Sequence, residues 1–202
     1  FRAYGAPLNV CRVEELPMPT AGPTDVILRV HAASLNAADW RMIKGQPFPA
    51  RFVYGGPFRP RRIVPGSDIC GEVIQVGANV HSVSIGDLVI GELALVGMGA
   101  FAEYVAAPAS ALIRAPYECS AETAASLPLA AVSALQGLRD HAKVRPGDHV
   151  LITGASGGVG SFALQIAKDL GATVTAVCRT EGVDAVRRLG VDDVIDRTKE
   201  DP

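Results

Sequence analysis

The chain has 202 residues, 49% hydrophobic and 20% charged, and a formal net charge of −2. That apolar content excludes disorder as the main state, and 19 Lys plus Arg against 21 Asp plus Glu argue against a nucleic-acid partner held through its phosphates. No apolar stretch is long and unbroken enough for a membrane span or a signal peptide, so no membrane partner is expected and a reducing cytoplasmic setting is the default.

Residues up to about 115 read as β structure with irregular loops. Val26 to His31 alternates as a half-buried strand does. Ile69 to Val76, Asp87 to Ile90 and Phe101 to Val105 read the same way, separated by turns such as Gly77-Ala78-Asn79. Asn36 to Lys44 suits a short helix with Asn36 as N-cap and Gly45 as stop. Residues 46–65 form a long loop with four arginines, five prolines and two adjacent glycines. A loop of that length is expected to be functional or mobile, and here to border a substrate cleft.

From Ser120 the pattern becomes helix and strand in alternation. Ser120 caps a helix that Pro128 interrupts, and a second run reaches His141. His149 to Thr153 is a continuous apolar strand, expected to be buried on both faces. Val159, Phe162, Ala163, Ile166, Ala167 and Leu170 then mark one helix face, closed by Gly171. Thr173 to Cys178 gives a second strand. Val183, Val186 and Leu189 mark a helix ending at Gly190, and Asp193 to Ile195 a third strand. This is a β-α-β-α-β order with right-handed crossovers. The four cysteines, Cys11, Cys70, Cys119 and Cys178, lie far apart in sequence, which suits neither a disulfide framework nor a clustered zinc site.

The strongest motif is Gly154-Ala155-Ser156-Gly157-Gly158-Val159-Gly160, between the apolar strand and the amphipathic helix. Small residues at 155, 157 and 160 allow a tight turn, close approach of a phosphate to the backbone, and close helix packing. Free N–H groups at the helix start then face a pyrophosphate. A tight strand-to-helix connection without a ligand is the plain alternative. The second strand ends at Cys178 and continues Arg179-Thr180, where an NAD site usually offers a carboxylate. A guanidinium and a hydroxyl suit the 2′-phosphate of NADP. Glu181, one step on, argues the other way, and Arg179 could be only a solvated turn residue.

Together with Asn36-Ala-Ala-Asp39-Trp40, Pro65-Gly66-Ser67-Asp68-Ile-Cys-Gly71, Gly86-Asp87, Gly99-Ala-Phe-Ala-Glu103-Tyr104 and Leu127-Pro128 to Leu135, the chain resembles the zinc-independent quinone-oxidoreductase type of medium-chain dehydrogenase/reductase. The resemblance implies a GroES-like β domain, here 1–115, followed by a Rossmann doubly wound parallel sheet, here 116–202 and partial. It implies NADPH-dependent reduction of a quinone, enone or related carbonyl substrate.

Zinc-dependent relatives carry a ligand cysteine after the early strand and Gly-His-Glu where this chain reads Gly66-Ser67-Asp68, so no metal is expected. His31 is expected to be a packed or surface histidine. Without a Lewis acid, hydrogen-bond donors or water must polarise the carbonyl. The resemblance places Asn36 at the cleft beside the nicotinamide with Asp39 behind it, and gives Ser133 a hydroxyl contact at the nicotinamide end. Asn36 could instead simply cap its helix, and Ser133 could bond its own helix backbone.

Thr153-Gly154-x-x-x-Gly158-x-Gly160 also fits the short-chain dehydrogenase glycine pattern, which that family places near its start. A non-catalytic NADPH-binding or structural protein of the same fold is a further alternative. A doubly wound sheet has order 3-2-1-4-5-6, and this chain supplies strands 1 to 3. The 202 residues are therefore expected to be part of a longer enzyme, a homodimer when full length, or one half of an assembly whose second chain completes the sheet.

Overall fold

In the computed structural model, residues 1–54, 56–61 and 63–201 are described. Contacts divide the chain into two compact units, Phe1–Pro128 and Leu129–Pro202.

The first unit opens with a one-turn helix, α1 (Pro7–Val10), and is built on a five-stranded antiparallel sheet. Its strands are β1 (Asp25–Ala33), β2 (Asp68–Val76), β3 (Leu88–Glu92), β4 (Tyr104–Pro108) and β5 (Leu112–Arg114), in the order β4-β1-β2-β3-β5. One face packs Val26, Leu28, Ile69, Val73, Val89 and Val105 into the main core, each such side chain contributing about 1.5–3 kcal/mol. The other face is covered by helix α4 (Ala121–Ala125), whose Ala124 and Ala125 meet Cys70 and Ile90. That second cover explains why Val26, Ile27 and Leu28 are all fully buried, where alternation predicts a half-buried strand.

Helix α2 (Ala37–Lys44) follows β1 directly and ends at Gly45 in the left-handed conformation, φ 64°. The 46–65 segment is not wholly irregular, since it holds a five-residue helix, α3 (Ala50–Tyr54). Of its arginines, Arg62 lies outside the described residues. As expected, Ser120 caps α4, its Oγ accepting from the Thr123 N–H at 3.2 Å. The Phe101–Val105 expectation is displaced toward Tyr104–Pro108 because Phe101 is held in a turn, its N–H donating to the Pro65 carbonyl at 3.0 Å.

The second unit opens with helix α5 (Pro128–Leu135), which runs into a π-helical turn at Gln136–His141. It then alternates β6 (His149–Thr153), α6 (Gly158–Asp169), β7 (Thr173–Cys178), α7 (Val183–Arg187) and β8 (Asp193–Asp196). The three strands pair in parallel in the order β6-β7-β8, the 3-2-1 half of a Rossmann sheet read from the other side. Leu164, Ala167, Val174, Ala176 and Val186 form its core. β6 departs from expectation. Only Ile152 is buried and Leu151 is 55% exposed, because burial alternates along the strand: Val150 and Ile152 face the core and the positions between them face away from it.

Candidate functional site

In the first unit the turn from β1 into α2 gathers a hydrogen-bonded polar group. Asp39, Ser67 and Asp68 are fully buried. The Asn36 backbone N–H donates to Asp39 Oδ2 at 2.7 Å, so the carboxylate secures the start of α2. Ser67 Oγ donates to the other carboxylate oxygen, Oδ1, at 2.7 Å. Asn36 Nδ2 donates to Ser34 Oγ at 3.0 Å and to Asp68 Oδ2 at 2.9 Å, and Ser34 Oγ donates to the same Asp68 oxygen at 2.8 Å. Asn36 therefore does more than cap its helix. Its amide N–H groups are spent on Ser34 and Asp68, its Oδ1 faces the Asp39 N–H in a capping box, and what it offers a ligand is the second acceptor position on that oxygen.

Glu92 stands directly opposite Asp68 in the β2–β3 ladder. Burial pushes its carboxyl above the ordinary range, with Asp68 and Asp39 adding repulsion, while the Ala94 N–H at 2.7 Å opposes the shift. Cys70, on the far face of β2, is inert by burial, its thiol pushed up to about 11. Gly66 is bound to be glycine. Its φ is +98°, and a Cβ there would lie 2.6 Å from the Phe101 ring and 2.7 Å from its backbone nitrogen. Ser34 and Glu92 were not singled out by sequence. Both are recognisable only through partners 34 and 24 positions away in the chain, Asp68 for each.

The residues at the zinc-ligand positions are thus a hydroxyl, Ser67, and a carboxylate, Asp68, each bound to a neighbour. Among the described residues no three His, Cys, Asp or Glu side chains converge as a metal would require. His31 is 38% exposed, 3.6 Å from Glu72.

In the second unit the C-terminal ends of the three parallel strands come together. Gly154 leaves β6 with φ +67°, and the Gly157 N–H donates to its carbonyl at 2.9 Å, making the tight turn. Ala155, fully buried, ties the loop to β7 through its N–H and the Val177 carbonyl at 3.1 Å. A Cβ on Gly160 would collide with the Gly154 carbonyl and lie 2.8 Å from Ala155 Cα. This close packing is the requirement the glycine pattern encodes. Gly158, Val159 and Gly160 start α6 without a side-chain cap, and first-turn N–H groups have no intrahelical acceptor. Such a cradle fits a pyrophosphate. On α5, Ala130 Cβ would lie 3.8 Å from a Cβ at Gly158. Ser133, one turn further along, is exposed.

The β7 end adds Cys178, Arg179 and Thr180. Gly182 brings that turn against the loop, since a Cβ there would meet Ser156 Cβ at 2.5 Å. Cys178 is buried with its thiol pushed up, chiefly by burial. Only its backbone position can serve a ligand. Arg179 is exposed and, among the described residues, makes no ion pair. Thr180 is otherwise engaged. Its Oγ1 lies 2.8 Å from Asp196 Oδ2 and 2.6 Å from Thr198 Oγ1. The Thr198 hydroxyl and then the Thr180 hydroxyl hold the Asp196 carboxyl well below the usual range. Of the three, Arg179 is the group open to a further anion.

The alcohol dehydrogenase GroES-like domain family matches residues 22–117. The chain is 36% identical over 203 residues to a chloroplast envelope quinone oxidoreductase homolog of Arabidopsis thaliana, covering 97% of this chain and 59% of that protein. It is 36% identical over 186 residues to a trans-enoyl reductase of Aspergillus terreus, covering 89% and 51%. The crystal structure of Escherichia coli quinone oxidoreductase complexed with NADPH matches with a TM-score of 0.85 at 27% identity, over 100% of this chain and 58% of that one. The chain thus spans between half and three fifths of the length of these relatives.

Proposed function

From a chain that belongs to the medium-chain dehydrogenase/reductase superfamily, in its quinone-oxidoreductase-like branch, we propose a zinc-independent oxidoreductase that reduces a quinone, enone or related carbonyl compound with NADPH. The observation that carries this reading is the glycine loop. It has the turn, the uncapped helix start and a Gly160 with no room for a side chain. The names of the relatives supply the reaction class.

When bound, NADPH supplies the hydride. The chain's own part is to hold the ends of the reaction in place. The N–H groups of Gly158 to Gly160 take the pyrophosphate, and Arg179 takes the 2′-phosphate. Ser133 offers a hydroxyl to the nicotinamide end. Asn36 presents Oδ1 to an N–H or O–H of a ligand. Asp39 is a positioning residue, fixing Asn36 through its backbone. Zinc-independence rests on Ser67 and Asn36, whose side chains already satisfy Asp39 and Asp68.

Oxidation of NADPH by the full-length protein, followed with a panel of quinones and enones before and after prolonged chelation, tests the reading. Turnover unchanged by chelation is expected. NADPH binding without turnover on any panel member would make the protein a non-catalytic relative, and activity restored only by zinc would overturn the metal-free assignment.

A further inference from the structure

Between Asp39 and Asp68 the chain carries six basic residues and no acidic one, although its overall net charge is −2. This stretch is also rich in exposed aromatic rings, and Arg51 organises it. Arg51 Nε donates to the Gly45 carbonyl at 2.9 Å and Nη1 to the Pro57 carbonyl at 3.2 Å. Its guanidinium lies 4.4 Å from the Tyr4 ring centre and 5.1 Å from that of Phe48. Phe48 meets Phe52 edge to face at 5.8 Å. The Gly56 N–H donates to the Arg59 carbonyl at 3.1 Å, and the Tyr4 hydroxyl donates to the Gly56 carbonyl at 2.9 Å. These bonds close a turn with Phe58 at its tip.

Phe48, Phe52 and Phe58 are 54%, 64% and 86% exposed, with Arg59 and Arg61 exposed beside them. The cavity lined by Tyr4, Met42, Ala50, Arg51 and Met98 has a volume of about 10 Å³, room for one water. That cavity encloses no small ligand. Exposed apolar rings beside exposed guanidinium groups, in a stretch without a carboxylate, match an extended, anionic partner with an apolar interior.

We propose that this surface, Phe48, Phe52 and Phe58 with Arg59 and Arg61, docks the protein on an anionic lipid bilayer. The rings enter the interface and the guanidinium groups meet acidic headgroups. The expectation of no membrane partner concerned spanning segments, and interfacial docking needs none. The surface belongs to the first unit, and the proposal does not depend on the proposed reaction.

Co-sedimentation of the full-length protein with phosphatidylcholine vesicles, and with vesicles containing about 30% phosphatidylglycerol, tests the proposal. Binding is expected only to the anionic vesicles, falling with added salt. Arg59→Gln with Arg61→Gln should lower the partition coefficient about twenty-five-fold, at roughly fivefold per charge. Phe58→Ser should weaken binding while leaving its salt dependence. No binding, or equal binding to both vesicles, overturns it. So does a raised KM in the arginine variant with vesicle binding unchanged, which would make the surface a rim for substrate.

Discussion

Asp39 offers a stringent test of the first site. Its two carboxylate oxygens accept from two groups that have no easy substitute, the Asn36 backbone N–H and the Ser67 hydroxyl, each at 2.7 Å. Asp39→Ala removes both bonds and leaves a buried hydroxyl and a helix-start N–H unpaired. With about 1–3 kcal/mol for each orphaned group, the expected loss is about 3–5 kcal/mol. Asp39→Asn keeps one oxygen for Asn36, and Ser67 can rotate to accept from the new amide, so about 1 kcal/mol is expected. Ser67→Ala alone strands a carboxylate oxygen at about 2–3 kcal/mol, yet adds little once Asp39 is alanine. The double-mutant cycle should therefore give a coupling near 2 kcal/mol. Urea unfolding followed by Trp40, the chain's single tryptophan and the residue after Asp39, reads this unit. Equal losses for the alanine and asparagine variants, or a coupling within about 0.5 kcal/mol of zero, would refute the reasoning.

Gly160→Ala, which drives a Cβ onto the Gly154 carbonyl, should weaken NADPH at least tenfold by calorimetry, by about 1.4 kcal/mol or more. Arg179→Ala should weaken NADPH about tenfold or more and leave NADH unchanged, because only NADPH presents the extra phosphate. Asp196, held low by Thr198 first and then Thr180, contributes stability that is present above the ordinary carboxylate range and lost as pH falls through its depressed pKa. Asp196→Asn should flatten the acid limb of a stability–pH curve. Glu92 has the opposite sign. Raised chiefly by burial, it favours the fold below the ordinary carboxylate pKa and loses that contribution as pH rises through its own, so Glu92→Gln should remove this decline.

The alternation of sheet and helix in the second unit was legible because each element carries its own punctuation. Gly171 and Gly190 both take positive φ where the helices stop, at 82° and 76°. The Asn36 to Gly45 helix was legible for the same reason. Residues 112–114 were not read as a strand, because three residues give no period and only the pairing with β3 defines them. The polar group around Asp39 was half legible. Its members Asn36 and Asp39 lie on one helix start, but Ser34 joins through a side-chain hydrogen bond to Asp68 and Glu92 through strand pairing, neither of which local pattern carries. Thr180 shows how the fold adds partners that local sequence does not announce. A hydroxyl after β7 suits a phosphate until the fold supplies Asp196, 16 residues on, as its partner.

The two sites hold their geometry by opposite means. Around Asp39 the side chains do the holding, and each hydrogen bond there is an individual target for mutation with a stability cost of its own. Around Gly154 the backbone does it, and the residues matter for what they lack: no Cβ at 160 to meet the loop, none at 182 to meet Ser156. A backbone cradle binds any diphosphate that reaches it, so it cannot by itself distinguish one dinucleotide from another. On the proposed reading, discrimination falls to Arg179, an exposed cation on the turn that packs against the loop. If NADPH preference is found, it should therefore vanish with that single side chain while binding of the shared pyrophosphate persists. A preference that survived Arg179→Ala would place the 2′-phosphate elsewhere on the chain.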